Sequence, residues 1–275
     1  MIGTMRILAS AMSVVMMLSS GMLGTLGNPR SSYGLGSAAY LKGRNLLYSL
    51  YVDTTESRWN KEEKEEVLSK LEIASAYIEN SAKQYHEKVE LVCNWQENQD
   101  LTGSAKIKFP INDKVDFVEK LDQEIALWVE EKVDYDALME AYEAEGIALL
   151  VFVNNSVSSY AIVFDGIDNP KESVVLAGEE TPAAYAHEIL HVFGAHDLYK
   201  DAEYTKDVTD YVKKAYPMEI MYTVTDANGK KYEDQIVNEI SPITAYHLGW
   251  IDYTEEIDVF PQLRRKQKNE REKTL

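Results

Sequence analysis

The sequence predicts an α/β (α+β) fold: a mixed, twisted sheet with two long backing helices and a shorter apolar helix that carries the candidate active site. Three observations predict it. Runs dense in strand formers stand at residues 46–52 (LLYSLYV) and 147–154 (IALLVFVN), the second apolar enough for a strand buried on both faces. Helical periodicity occupies residues 61–88 and 115–131. A third apolar helix, bounded by capping residues at both ends, follows a group of three strands.

Taken in order, residues 1–30 hold Arg6, then a mostly apolar run at 7–26, then Gly27-Asn28-Pro29-Arg30, with no acidic residue. This is the pattern of a signal peptide, with an N-terminal membrane anchor as the competing expectation. Residues 31–45 are Gly/Ser-rich and are expected to be a linker. One folded domain, the one that the motif below makes catalytic, is expected over 46–260 and a basic polar tail over 261–275. Within the domain, strand 46–52 leads into a charged helix whose Val67, Leu71, Ala74, Ile78 and Tyr85 form one stripe for burial. Its KEEKEE run is a solvated face. Residues 89–95 read as a second strand, and Val118, Leu121, Ile125 and Trp128 repeat the helical stripe. A shorter helix over 136–145, ended by Gly146, precedes strands at 147–154, 160–164 and 174–177.

Composition narrows the function. With 28 Lys+Arg against 46 Asp+Glu, the chain carries a net charge of −18, which repels phosphate backbones and excludes nucleic acid as a partner of the main body. The tail is the exception, with six basic and two acidic residues in QLRRKQKNEREKTL. One cysteine, Cys93, excludes an intramolecular disulfide.

Three of the five histidines fall within TPAAYAHEILHVFGAHDLY, residues 181–199. Thr181 suits an N-cap and Pro182 a first helical position, while Gly194 can take the left-handed conformation of a helix end. His187 and His191 are then one turn apart on a single face and can grip one metal ion. Glu188 sits about 100° round the helix, placed to reach a metal-bound water instead of the metal. A helix cut short by Gly194 lets the chain turn back, so that the next residues can offer a third ligand to the same ion.

The run His187-Glu188-x-x-His191-x-x-Gly194-x-x-Asp197 resembles the extended zinc signature of the metzincin metalloproteases, in the variant with Asp as third ligand. Asp197-Leu198-Tyr199 is similar to the continuation in immune inhibitor A-like and snapalysin-like bacterial metallopeptidases. The segment PMEIMY, residues 217–222, resembles the Met-turn, with Met221 as its methionine, and SPITAYHLGW, residues 241–250, resembles the helix that follows. The resemblance implies a metzincin-like fold and a Zn2+ cofactor held by His187, His191 and Asp197. It also implies a zinc endopeptidase with Glu188 as general base and Gly194 and Met221 in support.

Register favours Asp197 as third ligand, but imidazole chemistry keeps His196 as the alternative. The tyrosine that some of these peptidases carry two residues after the Met-turn methionine is replaced by Thr223, so Tyr222 is expected to pack. His86 and His247 are expected at the surface or at helix ends. By order, the resemblance makes residues 160–164 the strand that holds substrate by edge pairing.

Two rivals stand beside this reading. One is a gluzincin-type peptidase with a downstream ligand such as Glu219, and the other is a secreted or surface zinc-binding protein without turnover. The expected partner is a peptide or protein substrate, with no nucleic acid and with membrane contact through residues 7–26 only. The chain is expected to be monomeric, and secreted or anchored through its N-terminus.

Overall fold

A computed structural model describes residues 4–9, 14–19, 37–38, 41–94, 98–110, 115–154, 159–165, 173–199 and 204–265. Trp95, most of the 31–45 segment and the tail from 266 onward lie outside them, as does the side chain of Val118.

The centre of the molecule is a mixed sheet. Its strands in chain order are β1 (Thr4–Ala9), β2 (Val14–Ser19), β3 (Gly43–Asp53), β4 (Val89–Val92), β5 (Thr102–Lys106), β6 (Gly146–Val153), β7 (Tyr160–Asp165) and β8 (Ser173–Ala177). They lie side by side as β1-β2-β7-β8-β6-β3-β4, with β5 also on β3. The pairs β8-β6, β6-β3, β3-β4 and β3-β5 are parallel, whereas β7 runs antiparallel to β8.

Three long helices cover the two faces. These are α1 (Lys61–Gln84), α2 (Val115–Lys132) and α4 (Pro182–Val192), with the short α3 (Tyr135–Tyr142) between the second and third. Further on come α5 (Lys206–Ala215), α6 (Pro242–His247) and α7 (Glu256–Val259). Both faces of the central strands are buried, so alternate residues of one strand enter different cores. Leu47 and Tyr51 of β3 and Ala148, Leu150 and Phe152 of β6 pack with Val67, Leu71, Ala74 and Ile78 of α1 and with α4. Leu46, Leu50 and Val52 of β3 and Ile147, Leu149 and Val151 of β6 pack with Leu121, Ile125 and Val129 of α2. Helices α1 and α2 therefore back opposite faces, with α4 on the side of α1.

Several boundaries differ from the sequence expectation. β3 begins at Gly43, and Ala38 and Leu41 are fully buried in the α1/α4 core, so the core takes in the end of the Gly/Ser-rich segment. The helix before β6 closes at Glu143, whose φ of 51° is left-handed. Gly146 is instead the first residue of β6. A Cβ there would lie 2.3 Å from the Ala38 oxygen, and Ile147 N donates to Ser37 O at 2.7 Å. The glycine admits this close approach of the 37–38 backbone.

β5 was not expected, because Thr-Gly-Ser-Ala-Lys has little strand propensity. It forms where β4 runs out, pairing Ser49–Asp53 of β3 with Thr102–Lys106. Residues 4–9 and 14–19 form an antiparallel pair, and β2 lies along β7 with Met16 opposite Ile162 through Ser19 opposite Asp165. The edge of β7 expected to be open is thus paired along those residues. No helix among the described residues is long and apolar enough to cross a membrane.

Candidate metal centre

Helix α4 is positioned at both ends and along its length. Thr181 Oγ1 accepts from Ala184 N, Pro182 opens the first turn, and Phe193 closes the last. Every residue of α4 is buried, and the Tyr185 hydroxyl donates to Ala177 O at the end of β8 at 3.2 Å. The helix is thereby tied to the carboxyl end of the parallel strands. Gly194 then takes a φ of 101°, a conformation that costs a side-chain-bearing residue strain. The chain turns back at once, with Ala195 N donating to Leu190 O at 3.0 Å.

This reversal makes the site. His191 Nδ1 lies 2.9 Å from Ala195 O, and His187 Nδ1 lies 2.9 Å from Ile220 O in the loop after α5. A carbonyl oxygen only accepts, so both Nδ1 atoms carry hydrogen and the neutral rings present bare Nε2 lone pairs. Those two Nε2 atoms are 3.2 Å apart, and Asp197 Oδ1 is 3.2 Å from each.

Three acceptors therefore meet in one buried triangle. A proton could bridge one of its edges, whereas a cation satisfies all three corners. Ligand atoms about 2.0 Å from a tetrahedral zinc are about 3.3 Å apart, so the observed edges match that ion without rearrangement. His187, His191 and Asp197 are also the one group of three His, Cys, Asp or Glu residues among those described that could hold a metal ion.

The second carboxylate oxygen is held separately. Tyr199 donates to Asp197 Oδ2 at 2.9 Å, leaving Oδ1 to face the imidazoles. Burial pushes the Asp197 carboxyl up, but the charge and hydrogen bonds that the His191 and His187 rings supply when protonated, as a bound cation would in their place, more than offset it and hold the group well below the usual carboxylate range. Glu188, one residue from His187, is buried at 1% exposure.

The remaining candidates fall elsewhere. His196 does not join the triangle; its ring packs edge-on against His247 at 5.0 Å and Tyr204 at 6.0 Å. His247, expected at a surface or helix end, is the last residue of α6; it is 1% exposed and bonds Leu263 O at 3.0 Å. His86 does lie exposed just past α1. Glu219 is committed to Ser241 N, Thr244 Oγ1 and Met221 N, which removes it as a third ligand. Met221 is fully buried, and its main-chain oxygen accepts from Leu198 N at 2.8 Å. Tyr222 packs partly buried against the α1/α4 core. Burial pushes the Cys93 thiol up to about 12, so it stays protonated and inert.

Sequence reasoning missed Tyr199 as a support of Asp197 and Glu219 as a support of the Met221 turn. The first had a local signal, since an i, i+2 Tyr can reach an Asp. The second had none, because its partners are up to 25 residues away.

Fold and site together define an α/β protein with a buried two-histidine, one-aspartate cluster able to hold a metal ion. No protein-family model matches the chain, and no curated protein does. Among solved structures, metalloproteinase-II from Bacteroides fragilis is similar over 81% of this chain and 56% of its own, at 11% identity and a TM-score of 0.41. Wild-type OgpA from Akkermansia muciniphila is similar over 78% of this chain and 61% of its own, at 13% identity and a TM-score of 0.34. The chain spans less than two thirds of either protein. Likenesses this distant leave the site to be read from its own geometry.

Proposed function

We propose that the chain is a zinc-dependent endopeptidase. The observation that carries this reading is the triangle of bare Nε2, Nε2 and Oδ1 atoms at 3.2 Å edges, with a buried glutamate on the same helix. Three protein ligands leave one position of a tetrahedral ion for water or substrate, the arrangement of catalytic and not structural zinc. When bound, zinc would act there as a Lewis acid and lower the pKa of water.

The chain's own residues do the rest. His187 and His191 would hold the metal through Nε2, with Ile220 O and Ala195 O keeping their tautomers fixed. Asp197 would bind it through Oδ1, with Tyr199 retaining Oδ2. Glu188 takes a proton from the attacking water and returns it to the leaving amine. A structural site would need no such base.

The test uses the purified full chain and an unfolded protein as substrate. The parent is expected to bind one zinc and cleave, and Glu188→Ala to keep the zinc and lose cleavage. Zinc binding without turnover by the parent would favour a zinc-binding protein that is not an enzyme.

Export is part of the same proposal, supported by Arg6 and the apolar run at 7–26. Mass spectrometry of the chain recovered from its producing cell should show a new N-terminus near residues 21–30; recovery of the uncut chain inside the cell would sink export by cleavage.

A further inference from the structure

We propose that Glu219 is a positioning residue of the metal cluster, its carboxylate fixing the turn whose main-chain oxygens orient both His187 and the segment carrying Asp197. The proposal rests on the reading of that cluster as a metal site.

Glu219 is fully buried, and among the described residues it forms no ion pair with a cation. Three donors converge on it instead. Oε1 accepts from Met221 N at 3.2 Å and from Thr244 Oγ1 at 2.8 Å, and Oε2 accepts from Ser241 N. Burying an unpaired carboxylate is costly unless such bonds satisfy it. An ionised carboxylate is the side chain with acceptors on both oxygens and no hydrogen of its own. An amide would turn its NH2 group toward one of the donors.

The bonds close one turn. Tyr222 N and Thr223 N both donate to Glu219 O at 2.9 Å, and Ile220 N donates to Glu239 O at 2.9 Å. Two consecutive carbonyls of this turn then reach the cluster by separate routes. Ile220 O takes the Nδ1 hydrogen of His187 at 2.9 Å. Met221 O takes the amide hydrogen of Leu198, the residue after Asp197, at 2.8 Å. Through Ser241 and Thr244 the same carboxylate ties the turn to α6. Tyr85 of the segment after α1 also holds that region, donating to Ile240 O at 2.6 Å. Two of the three metal-facing atoms are thus aimed through one carboxylate that touches neither.

A carboxylate that only stabilised the fold would lower the melting temperature and leave the affinity of the folded protein for metal unchanged. The experiment therefore measures both in the full chain. Metal-free parent, Glu219→Gln, Thr244→Val and Lys70→Met are compared by circular dichroism, by zinc competition against a chromophoric chelator, and by the visible spectrum of the cobalt-substituted protein. Lys70 is a buried residue whose partners are Gly178 O, Glu66 and Glu233, none of them in the cluster or its turn, so it controls for lost stability alone.

Glu219→Gln is expected to fold, to weaken zinc binding roughly 10- to 100-fold as loss of an outer-shell partner does, and to alter the cobalt bands. Thr244→Val should weaken zinc binding in the same direction by a smaller factor, and Lys70→Met should lower the melting temperature with affinity and spectrum intact. A Glu219→Gln protein with the parent's affinity and spectrum overturns the proposal. Should that variant not fold, an unchanged affinity in Thr244→Val overturns it. A parent that takes up neither zinc nor cobalt overturns the metal-site reading itself, which is a different result from failure of Glu219 alone.

Discussion

Tyr199 donates its phenolic hydrogen to Oδ2 of Asp197 at 2.9 Å, two residues along a chain that has just reversed direction. The bond divides the labour of one carboxylate: Oδ2 is held by the protein and Oδ1 faces His187 and His191. Removing it leaves Asp197 free to rotate about its last bond. Tyr199→Phe should fold normally and bind zinc about 10-fold more weakly in chelator competition, and equal affinity would show that the hydroxyl does not orient the ligand.

Asp197 and His196 are neighbours with separate surroundings, and substitution should separate them. Asp197→Ala is expected to lose zinc, because two imidazoles remain. His196→Ala should retain zinc and lower thermal stability by about 3 kcal/mol, since it empties a buried ring position against His247 and Tyr204. Retention of zinc by Asp197→Ala together with its loss in His196→Ala would reverse the ligand assignment.

Glu188 is predicted to matter for turnover and not for metal. Glu188→Gln should keep the parent's zinc content and lower kcat by at least about 100-fold, the lower range for loss of a general base. Steady-state hydrolysis of an unfolded protein, with zinc measured by atomic absorption on the same sample, checks both halves.

His247 makes part of the stability depend on pH. Burial first, and then the nearby His196 and Arg265, push its imidazole well below the ordinary value, opposed by its bond to Leu263 O; the Tyr204 hydroxyl also faces it at 3.4 Å. The folded ring stays neutral while the unfolded chain takes up a proton near its ordinary pKa of about 6.5. The stabilisation is therefore present above that pH and is lost as pH falls below it. Melting temperature measured from pH 8 to pH 5 should drop more steeply for the metal-free parent than for His247→Asn, and parallel curves would contradict this.

On the proposed peptidase reading, an extended substrate would pair with the edge of β7. β2 pairs with Ile162 to Asp165, so an extended peptide can add to that stretch only once β2 leaves. A chain lacking residues 1–30 is expected to show a lower KM for an extended peptide than the full chain, with kcat little changed. Equal KM values would mean that substrate binds without pairing to β7.

Much of this fold was legible because burial writes itself into periodicity. β6 is apolar at nearly every residue since both of its faces are covered, and α1 shows its stripe because only one face meets the sheet. β5 was not legible, because its place depends on a vacancy beside β3 and not on its own residues. Two corners of the triangle were legible from local spacing, as His187 and His191 share a helix face; Gly194 pointed to a third ligand just beyond it, and the register of the resemblance, not spacing, favoured Asp197 over His196. What lies behind the triangle was not legible, since the loop that steadies His187 is 33 residues away in the chain. His247 stands at a helix end, as expected, but its burial was not legible for a related reason: a lone histidine carries no mark of burial, and its surroundings are assembled from His196, Tyr204 and Leu263.

The Nδ1 atoms of both histidines are steadied by backbone oxygens, Ile220 O and Ala195 O. Residues 195 and 220 can therefore change identity without removing either contact, so long as the path of the chain is kept. The constraint on inheritance moves to the residues that shape that path, Gly194 on one side and Glu219 on the other. Distant kin of this protein should exchange any side chain that fits the core at the two positions that touch the histidines, and agree in identity at positions that touch neither.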